Sequence, residues 1–176
     1  MRVNDSFAHQ LRIDAIRDGD RIDIAADEGE CAAIAERLGL ERLERLEAHA
    51  ILTKAGDSVH AEGRLIASLD QSCVVTGDPV AAHVDEAFAV KFVPAPATAA
   101  PDDEIELGPE DCDTVFHDGA IIDLGGAIAD SLALALDPYP RSAAAEAAGR
   151  EAGVMSEAEA SPFAVLAKLK GGGGET

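Results

Sequence analysis

The sequence is short of aromatic residues and has no tryptophan. Phe and Tyr together make up 3% of its 176 residues, and Tyr139 is the single tyrosine. Because 47% of the residues are nevertheless hydrophobic, with alanine prominent among them, the chain can bury one domain-sized core. We therefore expect a folded protein with a thin core, and we do not expect disorder throughout.

Positive charge is also scarce, since 14 Lys and Arg residues stand against 34 Asp and Glu residues, for a net charge of -20. A surface of this sign repels phosphate, which disfavours a broad RNA-binding face. The same charge attracts cationic proteins, but it also keeps a chain soluble by self-repulsion. From composition alone, attraction of a basic partner and simple solubility are equal explanations of the negative charge.

Cysteine is sparse, and long apolar runs are missing. Cys31, Cys73 and Cys112 are an odd number at wide spacing, and no apolar stretch of the signal-peptide type opens the chain. No run reaches the roughly 20 apolar residues that cross a bilayer. The histidines are not paired with cysteines at zinc-site spacing. We expect reduced thiols, a cytoplasmic location, no metal and no cofactor.

Hydrophobic periodicity predicts strands for most of the first half of the chain. Alternation suggests two strands around residues 7–13 and 22–24, and a meander of three antiparallel strands through residues 46–52, 59–69 and 84–92. Between them, helical spacing predicts a short helix at residues 28–38, with Asp27 as its N-cap and Gly39 as its C-cap.

The second half of the chain begins with an acidic linker, predicted for residues 94–113. Strand-like residues resume at position 115 and pass into a helix that ends before position 137. Residues 142–176 are predicted to be a mobile Ala/Glu-rich tail with a short helix at 162–170. The sequence thus predicts an α+β fold with an antiparallel sheet, a meander or a barrel-like one, a few short helices and a flexible C-terminal region. A single domain is predicted for residues 1–141.

Two segments carry a family resemblance. The first is Gln71-Ser72-Cys73-Val74-Val75-Thr76-Gly77-Asp78-Pro79-Val80, and the second runs from Ile121-Ile122-Asp123-Leu124-Gly125 to Asp137-Pro138-Tyr139-Pro140-Arg141, with Pro162-Phe163-Ala164-Val165-Leu166 beyond it. Together they resemble the YceD family of large ribosomal RNA subunit accumulation proteins, in its alphaproteobacterial form. The resemblance implies a role in making or maturing large-subunit ribosomal RNA, without known catalytic chemistry. Many members carry Cys-x-x-Cys at the turn, where this chain has Cys73 and Thr76.

These segments supply the candidate partner-binding residues. Two prolines make the 137–141 segment rigid, and Tyr139 and Arg141 are residue types that anchor interfaces. Structural alternatives stand beside this one: Asp123 as a helix cap, Pro79 as a turn former and Cys73 as a half-buried thiol. The candidates are Gln71, Cys73, Thr76, Pro79, Asp123, Asp137, Pro138, Tyr139, Pro140, Arg141 and Phe163.

The favoured hypothesis is a non-enzymatic ribosome biogenesis factor that binds a basic large-subunit protein or an assembly intermediate, with no small-molecule substrate and no membrane contact. The alternative is direct RNA binding through Lys54, Arg64, Lys91 and Arg141, which requires these residues on one face. A third hypothesis, an enzyme that uses the Cys73 thiol or the acidic linker with a metal, lacks a visible base or ligand set.

Overall fold

The computed structural model describes residue 7 and residues 9–95 and 113–152. Within these ranges the chain forms two compact units. The larger unit contains the residues up to 71 and residues 81–138, and the smaller one contains residues 72–80 and those from 139 onward. The predicted domain boundary at residue 141 stays a prediction. The linker segment 96–112 and the predicted helix at 162–170 lie outside the described residues.

The described part contains seven strands and three helices. The strands are β1 (Gln10–Arg12), β2 (Asp20–Ala25), β3 (Arg42–Ala55), β4 (Ser58–Ser72), β5 (Pro79–Pro94), β6 (Thr114–His117) and β7 (Ile121–Asp123); the helices are α1 (Glu28–Leu38), α2 (Leu124–Ala135) and α3 (Ala145–Glu151).

Five of the strands form one sheet in the order β2-β3-β4-β5-β6. Strands β2 and β3 pair antiparallel, as do β3 and β4, whereas β6 lies parallel to β5. The predicted α+β class and the three-stranded meander are confirmed. The sheet is open rather than barrel-like, because β2 and β6 are its two edges and do not pair with each other.

The two N-terminal strands exist, but each pairs far along the chain. Strand β1 pairs with β7 in a separate two-stranded sheet, with Leu11 opposite Ile122, and β2 pairs with β3. Gly19, in the turn between β1 and β2, has a positive φ of 82° and donates its N–H to the carbonyl of Leu52 at 2.8 Å. This turn therefore leads the chain from one sheet into the other.

Helix α1 begins and ends where its local signals predict. The Asp27 side chain accepts the N–H of Glu30 at 2.8 Å, and the Glu30 side chain accepts the N–H of Asp27 at 2.8 Å, which completes a capping box. Gly39 adopts the left-handed conformation that closes the other end. The buried face of α1 consists of Cys31, Ile34 and Ala35.

The core lies on one face of the five-stranded sheet, together with α1, α2 and the β1–β7 pair. Each strand of the meander alternates buried and less buried residues, as period-two burial requires. Alanine fills several inner positions of β3 and β4, and Phe92, Ile128 and Leu132 are among the fully buried large side chains. The core is therefore assembled from aliphatic residues with few aromatic ones, as the composition indicates.

Gly63 interrupts the inner-face pattern of β4 for a steric reason. It pairs with Ala50, and a Cβ atom placed on Gly63 would lie far inside van der Waals contact with the backbone carbonyl oxygen of His49. Because that neighbour is backbone held in a strand, it cannot move aside cheaply. The close approach of β3 and β4 at this point thus depends on glycine.

We expect Gly63→Ala to lower the free energy of unfolding by about 1–3 kcal/mol, because the added methyl group overpacks the strand pair. Urea denaturation followed by circular dichroism measures this. The matched control is Gly29→Ala in the exposed first turn of α1, where a Cβ atom meets only ordinary contact. That variant should be neutral or more stable by up to about 1 kcal/mol; equal stability of the two variants would contradict the steric account.

Candidate functional site

The turn between β4 and β5 is organised around Cys73. The backbone N–H of Cys73 donates to the carbonyl of Asp78 at 2.8 Å, and Gly77 donates its N–H to the carbonyl of Cys73 at 2.9 Å. Gly77 has a φ of 75°, a conformation that suits glycine. Two backbone bonds therefore close the turn, and Pro79 begins the next strand immediately after it.

A second segment, distant in sequence, is bonded to this turn within the smaller unit. Val74 donates its N–H to the carbonyl of Pro140 at 2.9 Å, and Ser142 donates its N–H to the sulfur of Cys73 at 3.3 Å. These two bonds join segments that are more than 60 residues apart. We call residues 73–78 and 140–142 together the turn clamp.

Side-chain oxygens add a third connection within the turn clamp. The Thr76 hydroxyl donates to the Asp78 carboxylate at 2.7 Å and lies 3.1 Å from the Ser142 hydroxyl oxygen. The Ser142 hydroxyl is also 3.5 Å from the same carboxylate. Thr76, three residues after Cys73, thus takes part in a hydroxyl–carboxylate network. In the part of the chain that the structure describes, no cluster of three or more His, Cys, Asp or Glu side chains could hold a metal ion.

The thiol of Cys73 is electrostatically unusual. It is 4% exposed, and its sulfur accepts N–H groups from both Ser142 and Thr76. The Ser142 N–H, with further help from Thr76, lowers the pKa of Cys73 from its usual 9.0 to about 6, because these donors stabilise the thiolate. The sequence indicated no neighbours that would lower this pKa, because one of the donors belongs to the distant segment.

Beside these buried contacts the smaller unit exposes apolar side chains. Val74 is 53% exposed, Val75 is 44% exposed and Tyr139 is 72% exposed. Arg141 is exposed as well, whereas Pro140, between Tyr139 and Arg141, is buried. The turn clamp therefore fixes the backbone on which an apolar and aromatic surface is presented.

Two of the remaining candidates, Gln71 and Asp123 in the larger unit, have structural contacts. The Gln71 side chain is buried and donates from Nε2 to the carbonyl of Asp137 at 2.9 Å. Asp123 is the N-cap of α2 and accepts the N–H of Gly126 at 3.0 Å, as the structural alternative predicted. Pro138 is exposed after the end of α2, and Phe163 lies outside the described residues. A partner-binding role for these residues stays a prediction.

Sequence reasoning missed three residues of this site. Ser142 was assigned to the mobile tail, but its N–H and hydroxyl both belong to the turn clamp, and α3 begins three residues later. Val74 and Val75 belong to a segment that carries the family resemblance, but they are not among the predicted partner-binding residues. Two adjacent β-branched residues directly before a Thr-Gly-Asp turn were the signal that could have marked an exposed apolar tip.

The four cations of the RNA-binding alternative do not form one free basic surface. The Lys54 ammonium group donates to the carbonyls of Ile13 and Ile16, and Arg64 donates to the Asp85 carboxylate at 2.5 Å. Lys91 is an exposed residue of β5, and Arg141 belongs to the smaller unit. Two of the four are therefore already occupied by oxygens of the larger unit.

The fold and the turn clamp define a small α+β protein in which the 73–78 turn is bonded to the 140–142 segment through backbone groups, the Cys73 sulfur and side-chain oxygens. A family model described as large ribosomal RNA subunit accumulation protein YceD matches residues 61–170, which is more than half of the chain. The chain belongs to the YceD family. It is thus a protein of large ribosomal RNA accumulation, and this family is described by that role rather than by a reaction.

Neither a curated protein nor a solved structure gave a significant match. Among the residues that the structure describes, no helix is long and apolar enough to cross a membrane.

The pKa of Cys73 predicts a pH-dependent stability. A thiol whose pKa is lower in the folded than in the unfolded protein releases its proton on folding, so the free energy of unfolding rises with pH between about 6 and 9. This contribution is lost as the pH falls through 6. We expect the advantage of the wild type over Cys73→Ala in urea denaturation to be larger at pH 9 than at pH 6.

A direct titration separates this effect from packing. The ultraviolet absorbance difference between wild type and Cys73→Ala should report thiolate formation centred near pH 6. Cys31→Ala is the matched control, because burial raises the pKa of Cys31 and its difference signal should appear only at alkaline pH. A Cys73 signal centred near 9 would refute the assigned donors.

Proposed function

We propose that this protein is a non-enzymatic ribosome biogenesis factor that supports 23S ribosomal RNA accumulation by binding a basic large-subunit protein or assembly intermediate. The observation that carries the proposal is the turn clamp, in which Val74 bonds to Pro140 and Cys73 to Ser142. The segments that carry the family resemblance meet there, and they expose Val74, Val75 and Tyr139. We place the partner interface on this surface.

Charge supports a basic protein as the partner. A net charge of -20 attracts cationic proteins over distances of about 8 Å at physiological salt, where screening sets in. Such attraction raises the rate of encounter more than it raises affinity. Affinity therefore requires a second contribution, and an exposed apolar surface on a fixed backbone provides one.

Tyr139 and the two valines suit that second contribution. Tyrosine is enriched among residues that dominate binding energy, since it combines apolar area with a polar tip. The bond between Val74 and Pro140 holds the backbone of the surface before any partner arrives. Less conformational entropy is then lost on binding, which favours affinity.

Local charge supports protein rather than RNA as the primary ligand. Arg64 bonds to Asp85, so a phosphate would have to displace a carboxylate to reach that guanidinium group. Lys54 is held by two carbonyl oxygens. Direct RNA binding remains the alternative function, and it would rest mainly on Lys91 and Arg141.

The contacts of Cys73 support the non-enzymatic part of the proposal. Its sulfur is buried, and the two amide N–H groups that bond to it occupy the thiolate, so the sulfur is not presented to a substrate. A surface depression of about 550 Å³ in the larger unit contains Arg12, Asp14 and Lys54, but Arg12 and Asp14 pair with each other and Lys54 bonds to backbone. A cytoplasmic location, where ribosomes assemble, belongs to the same proposal.

Affinity capture tests the proposal. The full chain, tagged, is incubated at low salt with lysate of its own cells, with and without ribonuclease. We expect basic large-subunit ribosomal proteins to be retained after ribonuclease and lost at about 0.5 M salt. Partners lost with the RNA would favour the RNA-binding alternative, and recovery of neither would contradict both.

We expect the double variant Val74→Ala, Tyr139→Ala to reduce capture of that partner about tenfold, because two exposed anchors are removed from the surface. The control is Leu134→Ala, which truncates an 84% exposed leucine of α2 in the larger unit. Circular dichroism checks that the variants remain folded. Equal losses in the two proteins would show that the interface is not at the turn clamp.

A further inference from the structure

Strand β6 ends the five-stranded sheet, and in the described ranges no other strand pairs with its outer side. It contains Thr114 to His117 and lies parallel to β5. The buried His117 accepts the N–H of Gly119 at Nδ1, so its proton is on Nε2, which donates to the carbonyl of Asp57 at 2.9 Å. One end of the edge strand is therefore anchored to the turn between β3 and β4.

At the outer edge of β6, the backbone N–H and C=O groups of two residues point away from β5. Lys91 and Ala95 of the β5 segment donate their N–H groups to the carbonyls of Asp113 and His117. Because backbone groups alternate in direction along a strand, those of Thr114 and Phe116 point to the opposite side. Among the described residues, no strand pairs with these N–H and C=O groups.

The side chains of β6 do not protect this edge. Natural edge strands are usually shielded by lysine, proline or a bulge, since an open edge pairs readily with other chains. Here Val115 is 40% exposed and Phe116 is 50% exposed. By register Val115 shares the sheet face of the buried Phe92, and Phe116 lies on the other face. An added strand would cover apolar area on both faces.

Charge indicates which kind of strand fits the edge. Asp113 and Asp118, one on each side of β6 in sequence, are exposed. The N–H of Ala120 is the main cause that keeps the pKa of Asp118 below its usual value, so this carboxylate stays ionised. The cation nearest by register is Lys91, opposite Thr114. The edge therefore combines an apolar centre with negative ends.

We propose that the outer edge of β6 binds an extended segment of a basic protein, rich in Lys or Arg with interspersed apolar residues, as an added β-strand. Thr114 and Phe116 supply the backbone bonds, and Val115 and Phe116 supply the apolar contact. This inference rests on the proposed function, because it assigns a second contact to the same class of partner. It concerns a surface separate from the turn clamp.

The probe is a synthetic peptide of alternating lysine and valine, about eight residues long to match a strand. Its binding to the full protein is measured by fluorescence anisotropy at low salt. We expect Phe116→Pro to weaken binding about tenfold relative to Phe116→Ala, since both lose the ring but only proline loses the outward N–H. The bonds of β6 to β5 do not use that N–H, so both variants should fold.

Two further measurements test specifically whether the peptide pairs through its backbone. Added peptide should slow hydrogen exchange at the amides of Thr114 and Phe116. A peptide of equal charge with proline in place of valine should bind about tenfold more weakly, because its prolines have no N–H to donate and disfavour pairing as a strand. Equal affinity of the two peptides, or of the two Phe116 variants, would overturn the proposal in favour of unspecific charge attraction.

The outcomes also separate this inference from the proposed function. If lysate capture retains a basic large-subunit protein but the peptide does not bind the edge, the β6 site is wrong and the function stands. If the peptide binds as a strand but no basic ribosomal protein is captured, the edge site stands and the proposed function fails.

Discussion

The packing of α1 and α2 on the inner face of the sheet is the interaction on which the rest of the structure depends. That face alternates large and small side chains, with Ala48 and Ala61 among the fully or almost fully buried residues. Small residues let helix and strand approach closely, so a core with few aromatics still packs. The same alternation fixes strand register, since a shift by one residue would expose the core face. The register in turn decides where β4 and β5 end.

Features with local causes could be predicted from the sequence. Helix α1 was predicted with its correct limits because Asp27, Glu30 and Gly39 are all within one turn of the ends that they determine. The parallel pairing of β6 with β5 was not predicted, since nothing in either strand specifies a partner across an intervening linker. The link between Cys73 and Ser142 was missed for the same reason, because a backbone donor has no sequence signature.

The pairing of individual charges says more about which class of ligand can bind than the net charge does. Two arginines of β3 pair with a carboxylate two residues away on the same strand, Arg42 with Glu44 and Arg45 with Glu47. Such exposed pairs contribute little to stability. Their effect on recognition is larger, because each cation carries an anion that competes with phosphate. Asp and Glu side chains that have no basic partner then determine the electrostatic potential that an approaching protein meets.

In the proposed function, the turn clamp and the β6 edge recognise a partner by different chemistry. Side chains such as Tyr139 discriminate by shape, whereas the backbone groups of an edge strand accept any extended chain that offers its own N–H and C=O groups. A basic ribosomal protein that has not yet joined its RNA offers both an ordered surface and extended cationic segments. If the protein holds each of them with moderate affinity, as proposed, increasing salt or competing RNA can release the partner stepwise. Reversible binding of that kind suits the proposed function, in which the partner passes on to ribosomal RNA.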